Sequence, residues 1–178
     1  MNIVLGVTGS ISAYKAADIT SKLAKEGHDV HVVLTDGGSQ FITPLTLQTL
    51  SKNKVYMEFF EEGNPKEVKH IDLAQNADVL VIAPASANII GKIASGIADD
   101  LLSATIMAAA NITPIYIAPA MNTNMYENPI VQVNIEKLKN YGYRVIEPKE
   151  SLLACGVFGK GALADVDDIV EAIEGSRE

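Results

Sequence analysis

The sequence APAMNTNMYENP occupies residues 118–129 and follows the apolar run 114–117, which predicts a buried strand. Two methionines and three asparagines stand where that strand ends, in place of an ordinary amphipathic helix. Ligands of open α/β sheets bind at the carboxyl ends of the strands. An amide-rich turn without positive charge in that place can hold a carboxylate or an amide.

Outward from this stretch, short apolar runs alternate with helical patterns along the whole chain. This alternation predicts a three-layer α/β/α domain with a central parallel sheet, a Rossmann-like fold. No linker divides the sequence, so we expect one domain over residues 1–178. The predicted strands are 2–8, 30–34, 79–83, 114–118 and 143–146. The predicted helices are 12–26, 41–50, 71–75, 87–94, 99–110, 129–141 and 166–173, with an irregular stretch or short hairpin at 51–69.

Composition narrows the classes of protein to consider. The net charge is −8 with 14 Lys plus Arg and no basic cluster, which argues against nucleic acid as a partner. A single cysteine excludes an internal disulfide and is compatible with a cytoplasmic location. No basic leader precedes the first strand, so no signal peptide is expected. No apolar run approaches the roughly 18 residues of a membrane helix, so no membrane partner is expected.

The loop GVTGSIS at residues 6–12 joins the first strand to a helix. Glycine allows close backbone approach, hydroxyls donate hydrogen bonds and a helix N-terminus favours an anion. The dinucleotide pattern G-x-G-x-x-G fails because Thr8 and Ile11 replace two glycines. The loop therefore favours one phosphate, and a mononucleotide over a dinucleotide, although a plain tight turn remains open.

Two further strand ends carry hydroxyl groups. Ser86 follows the third strand in the sequence PASAN, and Thr35 follows the second strand. Each could be a simple helix N-cap. Because these turns belong to strand ends of one sheet, ligand binding is an equal alternative for Ser86, with Thr35 as a third contact.

Two residues are candidates for proton transfer. His70 opens the helix that leads into the third strand, a position suited to an acid or base, whereas His28 and His31 have the pattern of surface or capping residues. Cys155 lies in a glycine-rich segment, which favours a mobile flap over a buried structural thiol. A thiol on a closing flap could deliver a proton while water is excluded. The sequence shows no metal-ligand pattern and no hydrolase elbow.

Six motifs then occur in the order known from one family: GSIS, KHI, PASAN, GIAD, PAMNTNM and ACG. Over about residues 2–170 the chain resembles the phosphopantothenoylcysteine decarboxylases, of the homo-oligomeric flavin-containing cysteine decarboxylases. The combination of P-x-M-N-x-x-M with a preceding histidine and a following A-C-G carries this resemblance. Because the chain stops where a fused synthetase half would begin, we expect the stand-alone bacterial type. Two positions depart from the family pattern, Tyr126 in place of tryptophan and Asp100 in place of asparagine.

The resemblance implies FMN as the cofactor and 4′-phosphopantothenoylcysteine as the substrate. His70 is implied as the base, Cys155 as the acid, Asn122 as the group that holds the substrate carboxylate, and 152–163 as the flap. The substrate-binding residues so implied are Met121, Asn122, Leu152, Ala154 and Leu163. The cofactor-binding residues so implied are Gly9, Ser10, Ile11, Ser12, Thr35, Ser86, Ala87, Asn88, Ile89 and Ala120. The resemblance also implies a homo-oligomer, either a trimer or a dodecamer built from trimers, with FMN near the subunit interfaces.

The implied reaction gives 4′-phosphopantetheine through a thioaldehyde and an enethiolate. A peptidyl-cysteine decarboxylase shares this chemistry, and the run 159–165 favours the coenzyme A precursor over a peptide. A flavin prenyltransferase is a second alternative, disfavoured because the sequence displays no basic phosphate site for its substrate. A non-catalytic FMN-bearing regulatory subunit is a third, disfavoured because the long acidic extensions of such proteins are missing.

Overall fold

The computed structural model of the chain describes residues 1–60, 68–154, 156 and 158–177. Its centre is a five-stranded parallel sheet in the order β2-β1-β3-β4-β5, and a separate antiparallel hairpin pairs β6 with β7. The strands are β1 (Asn2–Val7), β2 (Asp29–Leu34), β3 (Val79–Ala85), β4 (Ile115–Pro119), β5 (Arg144–Val145), β6 (Lys149–Leu152) and β7 (Phe158–Ala162).

Nine α-helices connect the strands within the described residues. They are α1 (Ala16–Lys25), α2 (Asp36–Ser39), α3 (Pro44–Ser51), α4 (Lys69–Asn76), α5 (Ala87–Ala94), α6 (Leu101–Ala109), α7 (Thr123–Tyr126), α8 (Pro129–Asn140) and α9 (Val166–Glu174). Short 3-10 helices cover Ile11–Lys15 and Gly175–Arg177.

The two faces of the sheet form two separate hydrophobic cores, because successive side chains of a strand point to opposite faces. In β1, Leu5 packs with α1, α3 and α9, whereas its neighbour Val4 packs with α4, α5, α6 and α8. In β3, Val81 belongs to the same core as Leu5, and its neighbour Leu80 belongs to the same core as Val4. Every residue of β3 is buried, as a strand covered on both faces requires. The predicted three-layer α/β/α class is confirmed.

Most elements agree with the predicted positions, and the differences have local causes. The predicted helix 12–26 begins as the 3-10 helix Ile11–Lys15, in which Ser10 accepts a hydrogen bond from Ser12 N–H. The predicted helix 99–110 begins at Leu101, because the Asp100 side chain accepts from Ser103 N–H and closes a capping box. The last predicted strand shortens to Arg144–Val145, which pairs only with β4 at the edge of the sheet.

The segment predicted as irregular, 51–69, contacts strand β2 through its described residues, where Asn53 Nδ2 donates to Asp29 Oδ1 and Val30 O. Tyr56 forms a parallel bridge with Val33 of β2. Residues 61–67 lie outside the described part of the chain, and the expectation of a short hairpin falls partly on them. The helix α4 then begins at Lys69, two residues before its predicted start.

The segment predicted as a flap is largely an antiparallel hairpin that packs against the turn after β4. Met121 N–H donates to Gly161 O at 2.9 Å. Gly161 has a φ of +143°, and a Cβ there would overlap the Met121 carbonyl oxygen. At Gly159 a Cβ would lie 2.6 Å from Thr123 Oγ1. These two glycines therefore allow β7 to approach the turn closely, a role that the expectation of a mobile flap did not include.

No helix in the described residues is both long enough and apolar enough to span a bilayer.

The close approach of β7 gives a test of stability. Gly161→Ala combines a positive φ with a steric overlap, so we expect the free energy of unfolding to fall by about 1–3 kcal/mol. The measurement is urea denaturation of the apoprotein. Gly175→Ala is the matched control, because Gly175 has a helical φ of −64° and no atom lies within 4 Å of the added Cβ. Equal midpoints for the two variants would contradict the packing role of Gly161.

Candidate active site at the strand ends

The site begins where β1 and β3 end, side by side in the sheet. The helix after β1 packs on one face of the sheet and the helix after β3 packs on the other. Parallel sheets bind ligands at such a switch point, because the diverging loops open a crevice. Thr8 holds the two strand ends together there. Its hydroxyl donates to Pro84 O at 2.6 Å and accepts from Ser86 N–H at 3.0 Å.

Three hydroxyl side chains cap the short helices that start at these strand ends. Ser10 Oγ accepts from Ser12 N–H at 3.3 Å, Thr35 Oγ1 from Gly38 N–H at 3.1 Å, and Ser86 Oγ from Ile89 N–H at 3.3 Å. The capping alternative considered for Ser86 and Thr35 is thus observed. For Ser10 and Ser86, capping and ligand contact are compatible, since a capping hydroxyl retains its own O–H as a donor. The O–H of Thr35 donates to Val7 O at 3.2 Å.

A first cavity of about 730 Å³ opens beside the ends of β1, β2 and β3. Its lining includes Thr35 and the start of α5, together with the apolar side chains of Met57 and Phe59. The charged group Lys92, Asp99 and Asp100 also lines it. The predicted cofactor-binding residues that line this cavity are Gly9, Thr35, Ser86, Ala87, Asn88 and Ile89.

A second cavity of about 500 Å³ adjoins the first and lies under the hairpin. The two cavities share Gly9, Ser86, Ala87 and Met125 in their linings. The predicted residues that line the second cavity are Gly9, Ser10, Ile11, Ser12, Ser86, Ala87, Ala120, Met121, Asn122, Leu152, Ala154 and Leu163. All the residues predicted to bind cofactor or substrate therefore come together around one pair of cavities.

The amide of Asn122 is oriented by its own turn. Its Oδ1 accepts from Asn124 N–H at 2.9 Å and caps the short helix α7. The side chain is half-buried in the lining of the second cavity. With Oδ1 used as an acceptor, Nδ2 is the donor of this amide, as the recognition of a carboxylate requires.

The two predicted proton-transfer residues have different outcomes. His70 is half-buried on α4, and its ring meets Phe59 edge-on at a centroid distance of 5.5 Å. Phe59 lines the first cavity, but His70 lines neither cavity in this single chain. Cys155 lies outside the described residues, although Leu153 and Ala154 before it line the second cavity.

The departure at Asp100 has a local explanation. Its carboxylate caps α6 and accepts from Lys92 Nζ at 2.8 Å. Burial raises the pKa of Asp100, but the hydrogen bonds from Lys92 and Ser103 outweigh burial and bring the net pKa below its usual value. An ionised cap with a lysine partner therefore stands beside the first cavity.

Tyr126, the other departure from the family pattern, has a hydrogen-bond partner for its hydroxyl group. Its hydroxyl donates to Glu147 Oε2 at 3.2 Å, and Lys160 Nζ of β7 donates to the same oxygen at 2.9 Å. Burial, with the Glu147 charge, raises the pKa of Tyr126, so the phenol stays protonated. This group is a second link between the turn after β4 and the hairpin.

The donors and the shape of the crevice fit FMN. Three hydroxyl groups and the loop at Gly9 surround the switch point, where one phosphate can be bound. A Cβ at Gly9 would lie 3.1 Å from the Gly37 backbone, so a side chain in this loop would crowd the neighbouring backbone. Small and apolar residues such as Ala87, Ala120 and Met121 line the remaining space, as a flat ring system requires.

Several lining residues were not singled out from the sequence. Thr8 is the first of them. Its position as a hydroxyl residue at the end of an otherwise apolar strand could have identified it from the sequence. Lys15 and Lys149 also line the second cavity. The sequence displayed no basic site, but these two lysines lie in the lining of one cavity. They were missed because residues so far apart in sequence do not form a visible cluster.

Comparison with known proteins agrees with this geometry. The family model described as Flavoprotein matches residues 1–178. The chain is 52% identical over 172 residues to the probable phosphopantothenoylcysteine decarboxylase of Streptococcus mutans, covering 97% of this chain and 96% of the relative. It is 49% identical to the coenzyme A biosynthesis bifunctional protein CoaBC of Bacillus subtilis, covering 97% of this chain but only 42% of that relative.

Two solved structures have closely similar folds. One is a PPC decarboxylase, a cysteine-to-serine mutant complexed with pantothenoylaminoethenethiol, with a TM-score of 0.85, 34% identity and coverage of 97% and 96%. The other is the FMN-dependent cysteine decarboxylase SpaF, with a TM-score of 0.86, 32% identity and coverage of 100% and 98%. The chain therefore belongs to the flavoprotein family, and the kinship predicted from its motifs is confirmed.

Proposed function

We propose that this chain is an FMN-dependent decarboxylase that converts 4′-phosphopantothenoylcysteine into 4′-phosphopantetheine in coenzyme A biosynthesis. One observation carries the proposal. The predicted cofactor and substrate residues, drawn from six separate parts of the chain, line two adjoining cavities at the switch point of the sheet. The names of the relatives agree with this reaction. We take residues 1–178 as one catalytic domain.

Cysteine conjugates lose CO2 with difficulty because the electrons left on the α-carbon have no acceptor. FMN, held by the loop at Gly9 and the turn at Ser86, would supply that missing acceptor as a reversible hydride acceptor for the sulfur-bearing carbon. The chain's own residues then bind the substrate, exclude water and move protons.

Asn122 holds the substrate carboxylate in the proposed reaction, with Nδ2 as the donor. The apolar side chains of Leu153 and Leu163 line the same cavity. An apolar wall around a carboxylate replaces part of its hydration shell and favours the change to neutral CO2. The hairpin closes this side of the cavity through the Met121–Gly161 hydrogen bond.

Cys155 is the proposed acid that protonates the enethiolate formed when CO2 leaves. Its role is a proposal from the A-C-G motif and from the position of Ala154 in the cavity lining. A neutral thiol suits this task, since the group has to give up a proton to the α-carbon that carried the carboxylate.

We infer that the active enzyme is a homo-oligomer, either a trimer or a dodecamer built from trimers, and that His70 serves the site of a neighbouring subunit. The support is geometric: in one chain His70 packs on Phe59 and lines neither cavity. A heterologous contact in a closed ring can place one subunit's α4 beside the next subunit's cavity. A cytoplasmic location remains a prediction from the single cysteine.

Activity of the purified protein tests the function directly. We expect a yellow protein with the absorption bands of FMN, which releases one CO2 for each 4′-phosphopantetheine formed from 4′-phosphopantothenoylcysteine. Peptides ending in cysteine and prenyl phosphates are the comparison substrates, because they represent the peptidyl decarboxylase and the prenyltransferase. A colourless protein that cannot be loaded with FMN, or faster turnover of a peptide, would contradict the proposal.

Cys155→Ser separates the protonation step from the earlier steps. Loss of the acid is expected to lower steady-state turnover by about 100-fold or more. CO2 should still leave in the first turnover, after which the unsaturated decarboxylated product accumulates and the yellow absorption bleaches. Wild-type turnover by a variant with normal FMN content would remove Cys155 from the mechanism.

His70→Asn should impair a step that precedes the loss of CO2, so we expect the rate of CO2 release to fall by about 100-fold to 10,000-fold. His31→Asn is the control, since His31 pairs with Asp29 on β2 and lines neither cavity. If His70 acts across an interface, mixed oligomers of His70→Asn and Cys155→Ser subunits regain activity, because some sites combine an intact histidine with an intact cysteine. Failure of the mixture to regain activity would place His70 in its own subunit's site.

A further inference from the structure

Two lysine residues line the second cavity together with Asn122. Lys15 ends the 3-10 helix after β1, and Lys149 begins β6. Both side chains are half-buried. They are the only cationic side chains in the lining of this cavity among the described residues.

The local backbone directs Lys149 towards the cavity. Along β6, Lys149 and Ser151 are half-buried, whereas Glu150 is exposed, as expected when alternate side chains of a strand face opposite sides. Lys149 pairs with Ala162 of β7, the residue next to Gly161. The contact that binds β7 to the Met121 turn therefore also positions this lysine.

One carboxylate faces the lysines. Asp165, an exposed residue at the start of α9, forms an ion pair with Lys149. Its pKa lies below the usual value because Lys149 donates a hydrogen bond to it, and the charge of Lys15 contributes in the same direction. Among the described residues, no carboxylate forms an ion pair with Lys15. The group of Lys15, Lys149 and Asp165 therefore carries a net charge of +1.

The lining matches the three chemical parts of the proposed substrate. Asn122 offers an amide donor for its carboxylate, and Leu153 and Leu163 offer apolar surface for its methylene and methyl groups. A phosphate monoester carries a charge of about −2 at neutral pH and is bound by ammonium groups as point charges. No partner for such a dianion had been recognised in the sequence.

We propose that Lys15 and Lys149 bind the phosphate group of the substrate and make the enzyme select phosphorylated over unphosphorylated cysteine conjugates. This inference rests on the proposed function and specifies which residues recognise the far end of the substrate. Asp165 holds Lys149 in the free enzyme and is displaced from it by the phosphate.

The test compares kcat/KM for 4′-phosphopantothenoylcysteine and for pantothenoylcysteine, measured by CO2 release from the FMN-loaded enzyme. Lys15→Ala and Lys149→Ala should each lower the ratio of the two values by about tenfold or more, the effect of a lost hydrogen bond to a charged group. The loss should fall on the phosphorylated substrate alone. Lys22→Ala is the matched control, because Lys22 pairs with Asp167 on the surface and lines neither cavity.

Asp165→Asn separates phosphate binding from a structural ion pair by the direction in which it changes the ratio of the two kcat/KM values. If Asp165 competes with the phosphate for Lys149, its neutralisation raises the ratio severalfold while Lys149→Ala lowers it. If the Lys149–Asp165 pair only supports the hairpin, the two variants change the ratio in the same direction or leave it unchanged, and the proposal is overturned. Thermal unfolding and FMN content of each variant confirm that the fold is intact.

The phosphate of FMN is the competing ligand for the lysines, so FMN affinity is measured on each apoprotein by fluorescence quenching. The proposal expects wild-type FMN affinity in both lysine variants. Weakened FMN binding with an unchanged substrate ratio would assign the lysines to the cofactor and overturn the proposal.

CO2 release by the wild type without preference for the phosphorylated substrate overturns this inference alone, whereas no CO2 release from either substrate overturns the proposed function as well.

Discussion

The hydroxyl group of Thr8 joins the ends of β1 and β3, and the shape of both cavities depends on this link. Thr8 is 2% exposed and exchanges two hydrogen bonds with the backbone of residues 84 and 86. A buried backbone group that loses its partner costs about 1–3 kcal/mol, so the two strand ends are held together. The chain then leaves β1 towards one face of the sheet and β3 towards the other. The crevice between these two paths receives the loops that carry Gly9 and Ser86.

The hairpin completes the site from the far end of the sequence. Three contacts bind it to the turn after β4: the backbone hydrogen bond at Gly161, the packing of Gly159 on Thr123, and Glu147, which accepts from both Tyr126 and Lys160. The turn presents Asn122, and the hairpin presents Lys149 and Leu153 to the same cavity. Recognition of a long substrate that is anionic at both ends therefore depends on one close contact between the two segments.

Fold class and strand positions were predictable because their signal is local. Apolar runs such as 79–83 are bounded by turn residues, and a parallel sheet covered on both faces requires such runs. Ser86 and Thr35 were identified for the same reason, since each directly follows a strand, whereas the role of Asn122 was implied by the family resemblance. The site motifs PAMNTNM and ACG indicated the protein family, which the comparisons confirm. The roles of individual site residues remain predictions.

The sequence by itself determined the layered fold, the polar loops at the strand ends and the family, because each is encoded within a few neighbouring residues. Only the tertiary structure decided that Gly159 and Gly161 serve close packing, that His70 packs on Phe59 without lining its own chain's two cavities, and that Lys15 and Lys149 line the same cavity. These facts depend on contacts between segments that are distant in sequence, and such contacts are set by strand order and by the hydrogen bonds at the switch point.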